Sequence, residues 1–177
     1  MKHQRLVPWI AGALALAGAA LMLVPAARVN GFDVDVFGRL PVLEGGRVKP
    51  VDSVARNSLL VIRGAQAFRH EGRTIEASEW LLDVMFRPER ADQQEIFQID
   101  DPEVLGLIGL PQTSQRRFTF QTLAPHLGEI ERQAQAAEPI DAKQRTRFQS
   151  AIVNLYQKVY LYFRLKNTIQ LSRSPGR

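Results

Sequence analysis

One uncharged stretch, Leu6 to Ala27, constrains this chain more than any other feature. It reads LVPWIAGALALAGAALMLVPAA and holds no Asp, Glu, Lys or Arg, while Lys2 and Arg5 stand just before it. A helix rises about 1.5 Å per residue, so the run is long enough to cross a hydrocarbon core of about 30 Å. Its eight Leu, Ile and Val residues favour insertion by roughly 2.4–4.8 kcal/mol, partly offset by two Gly and two Pro. Basic residues prefer the cytoplasmic flank. The expectation is therefore an inner (cytoplasmic) membrane, single-pass protein whose bulk, from about Arg28 onward, lies in the periplasm. Nucleic acid is not an expected partner for a chain so placed, despite its net charge of +5. Length favours a retained anchor over a cleaved signal, although Val24-Pro25-Ala26 is a small-residue pattern that a signal peptidase accepts. Ala11, Ala15 and Ala19 share one helical face, which either lets a second membrane helix approach closely or reflects the abundance of Ala.

This divides the chain into a membrane segment, residues 1–28, and one extracytoplasmic domain, residues 29–177. The domain is long enough for its own core. It has no cysteine, which excludes disulfides, thiol nucleophiles and haem attachment through C-x-x-C-H on this chain. Charge is unevenly distributed. Residues 1–88 carry +3, residues 89–138 carry −5 and residues 139–177 carry +7. The bland explanation is intramolecular, a cationic C-terminal helix packing beside an acidic middle. The functional one is contact with anionic headgroups or an acidic partner.

Residues 29–39 read as a linker with a short edge strand, because Phe32, Val34 and Val36 alternate with Asp33 and Asp35. Leu40-Pro41-Val42-Leu43 and Arg47-Val48-Lys49-Pro50 flank Gly45-Gly46, the pattern of a tight hairpin. Asp52 or Ser53 is placed to cap a helix reaching about Arg63, with Gly64 as its C-terminal stop. Gly72 reads as a loop. A second helix is expected over about 76–86, with Trp80 and Leu81 on it, and a short strand over 95–99. Asp101 followed by Pro102 opens a short helix. Thr119 caps another, roughly 120–136, kinked near Pro125. The last helix is expected from an Asp141 cap to about Leu171. Phe148, Ile152, Leu155, Val159, Tyr162 and Ile169 form its apolar stripe, widened by Tyr156, Tyr160 and Phe163 and interrupted by Lys166. The fold class is mainly α with one small β-hairpin: an N-terminal transmembrane helix, then a helical domain ending in a long amphipathic helix.

No catalytic or metal-binding signature is present: the sequence lacks H-E-x-x-H, a P-loop and G-x-S-x-G. A Ser–His–Asp set drawn from Ser53, His126 and Asp52 or Asp83 lacks a nucleophile elbow. Asp100, Asp101 and Glu103 are explained by a helix start before a cation site. His70, in Arg69-His70-Glu71-Gly72-Arg73, and His126 are the two histidines available as haem axial ligands, although a surface histidine is the commoner case. The densest polar feature is Gly46 to Asn57. Arg47 and Lys49 leave one face of a strand and Arg56 follows Asp52 by one helical turn. Either Asp52 and Arg56 form an ordinary i,i+4 pair, or Arg47, Lys49 and Arg56 cradle carboxylates such as haem propionates.

Leu40-Pro41-Val42 and Gly46-Arg47-Val48-Lys49-Pro50-Val51-Asp52-Ser53-Val54-Ala55-Arg56-Asn57 together resemble the extracytoplasmic N-terminal region of CcsA-type (system II) cytochrome c biogenesis proteins. The family form is approximately L-P-V-x-x-x-G-R-x-K-P-[LF]-D-[ST]-x-A-R-N, and Val51 departs from its larger residue. Trp80 to Phe86, Phe97 to Leu105 and the Leu155-Tyr156 region are similar more weakly. The resemblance implies an accessory or scaffold domain that assists haem delivery or attachment. Its implied partners are the multi-helix, haem-handling membrane proteins of cytochrome c assembly, or apocytochrome c, and its implied cofactor is haem. The Trp-rich segment and membrane histidines of the synthase core have no counterpart here, so no catalytic residue is carried over and the chain is not expected to be an enzyme. The alternative is a membrane-tethered structural or protein-interaction module that uses its basic C-terminal helix.

Overall fold

The structure is a computed structural model that describes residues 32–111 and 116–168. Its compact unit begins at Val34 with helix α1 (Val34–Arg39). Strands β1 (Pro41–Glu44) and β2 (Arg47–Pro50) follow as a hairpin, and helix α2 (Val51–Arg63) leaves it directly. A second hairpin, β3 (Ala67–His70) and β4 (Arg73–Glu76), leads into α3 (Ala77–Phe86). After the single turn α4 (Pro88–Ala91) comes β5 (Phe97–Gln98), which pairs antiparallel with β6 (Arg117–Phe118) around α5 (Pro102–Leu107). The chain then runs through α6 (Phe120–Leu123), a 3₁₀ turn (Ala124–His126), α7 (Leu127–Ala137) and α8 (Arg147–Lys166).

The core is built around α8, which packs along α7 and against α2 and α3. The predicted stripe residues Ile152, Leu155, Val159 and Tyr162 are buried, and Phe148 packs partly buried against them. Tyr162 stands at the centre of an aromatic cluster. Its ring lies 4.9 Å from Phe120, 5.5 Å from Phe97 and 6.5 Å from Trp80, centroid to centroid. These three partners come from α6, β5 and α3, so one side chain ties four elements together. Such offset and edge arrangements add about 0.5–1.5 kcal/mol each beyond area burial.

Local chemistry explains most element ends. Gly45 (φ 59°) and Gly46 (φ 76°) make the first hairpin turn, where both central residues need positive φ. Gly64, also left-handed, closes α2 by donating its N–H to the Leu60 carbonyl. Asp101 caps α5 through Oδ1, which accepts from the Glu103 and Val104 amides. Thr119 caps α6 through the Thr122 amide.

Several expectations are corrected. The fold is mainly helical, but the described residues carry three small antiparallel hairpins, not one. The missed β3–β4 turn uses Glu71 at φ 50° with Gly72 at 82°; a left-handed Glu gives no sequence signal. The edge strand expected at residues 32–36 is largely replaced by α1. There Phe37 meets Phe86 edge-on at 6.5 Å, and tertiary packing overrides the β-propensity of Val34 and Val36. Neither Asp52 nor Ser53 caps α2; Pro50 occupies that position and Asp52 lies in the first turn. The last helix starts at Thr146, whose side chain and that of Gln149 form a reciprocal capping box. Asp141 instead closes a turn of its own, accepting the Lys143 amide.

No helix among the described residues is long and apolar enough to cross a membrane. The longest, α8, carries Arg147, Lys158, Arg164 and Lys166. The expected transmembrane helix is thus absent from the described fold, and the single-pass inner-membrane placement with a periplasmic bulk is withdrawn. The run it rested on, Leu6 to Ala27, lies outside the described residues, as do Ile169 and Leu171.

Candidate functional site

The stretch from Leu40 to Asn57 folds as the β1–β2 hairpin and the first half of α2. Its register pairs Pro41 with Pro50, Val42 with Lys49, Leu43 with Val48, and Glu44 with Arg47. Side chains alternate across a strand, so Val42, Glu44, Arg47 and Lys49 share one face and Pro41, Leu43, Val48 and Pro50 the other. The polar face is the one that approaches the body of the domain: Val42, Glu44 and Lys49 are half-buried. The apolar face points outward, with Leu43 at 71% and Val48 at 73% exposure. Leu40, which leads into β1, is exposed as well. This inverts the usual amphipathic arrangement of a surface hairpin. The base of the hairpin is fastened to the helix by the Val51 amide, which donates to the Leu40 carbonyl at 2.9 Å.

Of the three cations singled out in the sequence, two already have carboxylate partners. Lys49 Nζ is 3.0 Å from Glu44 Oε2 and Arg56 Nε is 2.6 Å from Asp52 Oδ2. Asp52 also accepts the Ser78 hydroxyl on Oδ1 at 2.7 Å, which binds α2 to α3. Burial raises the Asp52 carboxyl, but the bonds from Arg56 and Ser78 outweigh it and hold the group below its usual range. Arg47 is exposed on β2, with no carboxylate partner among the described residues. The i,i+4 reading of Asp52 and Arg56 therefore holds. Buried Gly38 of α1 sits over this junction: a Cβ there would meet Ser78 Oγ at 3.2 Å and Asp52 Cβ at 3.4 Å.

Beside the hairpin an apolar groove is lined by Val42, Leu43, Val54, Met85, Leu161 and Leu165, with Glu44 and Arg164 at its edge. It joins the motif to the C-terminal part of α8. Sequence reasoning found both ends of this groove and not their meeting, because nothing local relates residues more than a hundred positions apart.

The two histidines do not converge on a cofactor site. His70 ends β3 opposite Arg73, and His126 ends the 3₁₀ turn before α7; both are half-buried. Neither lines the hairpin groove or the grooves along α8. With two of the three cradle cations paired and neither His70 nor His126 lining these grooves, the described residues do not fit a bound haem. The serine–histidine reading fares no better. Asp83 is fully buried and engaged by Arg87 at 3.0 Å and Arg90 at 3.5 Å. No group of three or more His, Asp or Glu side chains among the described residues is arranged to hold a metal ion.

The cationic C-terminal helix meets the acidic middle through two of its charges, Lys166 and Arg147, in keeping with the intramolecular explanation. Lys166 Nζ lies 2.6 Å from Asp92 Oδ2 and 5.0 Å above the Phe120 ring, and the Tyr162 hydroxyl donates to Asp92 Oδ1. Arg147 pairs with Asp101 at 3.0 Å and Arg164 lies over Tyr160. Burial lowers the ammonium of Lys158 from its ordinary value, with Asp100 opposing. No protein-family profile matches the chain, and no curated protein matches it in sequence.

Proposed function

We propose that this domain is a non-catalytic docking module in c-type cytochrome assembly, and that the β1–β2 hairpin binds another protein of that machinery through its outward apolar face. One observation carries the reading. The residues that resemble the cytochrome c biogenesis proteins are the residues that fold into the hairpin, and they turn Leu43 and Val48 to solvent while all their charges but that of Arg47 pair among themselves. An apolar surface left open beside a groove favours a protein partner, since isolated domains otherwise cover such residues. Haem delivery would then be served by positioning a haem-handling subunit or apocytochrome c, without a reaction on this chain.

The test is a maturation assay. In a strain lacking the protein, covalent haem in c-type cytochromes should fall, and the parent chain should restore it. The Leu43→Asp, Val48→Asp double variant should fail to restore it while keeping the parent's unfolding midpoint, because both side chains lie on the surface. Normal maturation in the deletion strain rejects the assembly role. Full rescue by the double variant rejects the hairpin as its docking surface.

A further inference from the structure

A second apolar groove runs between α7 and α8 and shares no lining residue with the hairpin. Its floor is Leu127, Ile130 and Val159, and its rim is Tyr156, Tyr160 and Phe163. Tyr160 and Phe163 are each 52% exposed, and the Tyr156 and Tyr160 rings stack at 6.1 Å. The sequence assigned all three to the widened core stripe of the last helix; Tyr156 does pack partly buried against the core, but Tyr160 and Phe163 are left exposed. Among the described residues, the charged side chain lining the groove is Glu131, with Arg164 beyond it over the Tyr160 ring. Its carboxylate has only neutral partners among the described residues, the Gln135 amide at 3.2 Å and the Tyr156 hydroxyl at 3.5 Å. By contrast, the neighbouring Glu129 is bonded to both Arg132 and Gln133.

We propose that this groove receives an amphipathic helix bearing an apolar stripe and a Lys or Arg that pairs with Glu131. Dimensions and charge both select this occupant. From Tyr156 to Phe163 the rim rises about 10 Å, two helical turns, which matches the i, i+3/i+4, i+7 side chains of a helix laid into a groove. Tyrosine and phenylalanine are the anchors such interfaces favour. The lone uncompensated carboxylate asks for a cation in a site that desolvation would otherwise penalise. A second copy of this chain fits less well, because a two-fold contact across this face brings Glu131 toward its own equivalent.

The test uses the full chain and a labelled leucine–lysine peptide of about 18 residues, five helical turns, read by fluorescence anisotropy. The leucine–lysine peptide should bind and its leucine–glutamate counterpart should not. Glu131→Gln should weaken binding about fivefold, and Phe163→Ser more than tenfold, the range expected of a charge pair and an aromatic anchor. Circular dichroism checks that both variants stay folded, as their exposure leads one to expect. Leu43→Ser should leave binding unchanged, which separates this groove from the hairpin. The proposal is overturned by equal binding of the two peptides, by unchanged affinity in Phe163→Ser, by loss of binding in Leu43→Ser, or by no binding at all. A dimer in sedimentation that Phe163→Ser abolishes would also overturn it, by giving the groove to a second copy.

Discussion

At the scale of single residues, Asp83 shows how a charge survives without water. It has no exposed surface, and burial raises its carboxyl above the ordinary 3.8, with Arg87 and Arg90 pulling the other way. A carboxyl raised on folding stabilises fully below its unfolded value and loses that contribution as pH rises through its folded one. Arg87→Leu removes the nearer cation and raises it further. At about pH 7 this variant should lose ~2–3 kcal/mol in urea unfolding, less than the ~3–5 of a wholly orphaned buried charge because Arg90 remains. As pH falls and the raised carboxyl takes up its proton, the deficit relative to the parent should shrink. Gly38 makes a steric test of the same region. Gly38→Ala must push Ser78 or Asp52 aside by a few tenths of an ångström, and should cost ~1 kcal/mol in thermal unfolding through the strained Ser78–Asp52 bond.

At the scale of elements, the start of α8 separates two readings of one sequence. Thr146→Ala should cost ~1 kcal/mol, because the Thr146–Gln149 box satisfies two otherwise orphaned amides. Asp141→Ala should cost less than half of that, since its carboxylate serves a local turn outside the helix. Denaturant midpoints of the two variants decide the order. The sequence favoured Asp141 because Asp is as good a cap as Thr and stands before the periodic stretch. What it could not show is that Arg145 donates to the carbonyls of Ala137, Glu138 and Ile140, which holds the intervening segment as a turn. Elements with strong local chemistry were legible: the Gly45-Gly46 hairpin, the Gly64 stop, the Asp101 cap, the break at Pro125. The β3–β4 hairpin was not, because its turn rests on a left-handed Glu71. The candidate site was half legible. Alternation along β2 correctly set Arg47 and Lys49 on one face, but only cross-strand register reveals that Glu44 joins them and that Leu43 and Val48 face solvent.

At the scale of the whole molecule, the acidic middle and the basic end meet at two seams, Asp92 with Lys166 and Asp101 with Arg147. The first is the more sheltered, with about a fifth of each side chain exposed, and it shares Asp92 with Tyr162. A double-mutant cycle of Asp92→Asn and Lys166→Met should give a coupling of ~1 kcal/mol, while the same cycle on Asp101 and the exposed Arg147 should give less. Additivity at the first seam would mean that packing, not charge, holds the end of α8.

The central aromatic ring of the core, Tyr162, belongs to the last helix of the described fold, and its neighbours Trp80, Phe97 and Phe120 precede it by scores of residues. During synthesis the earlier helices emerge with a vacancy where that ring will sit. The domain can close only after translation has passed this helix, and a ribosome that stops short of it releases a chain with an open interior.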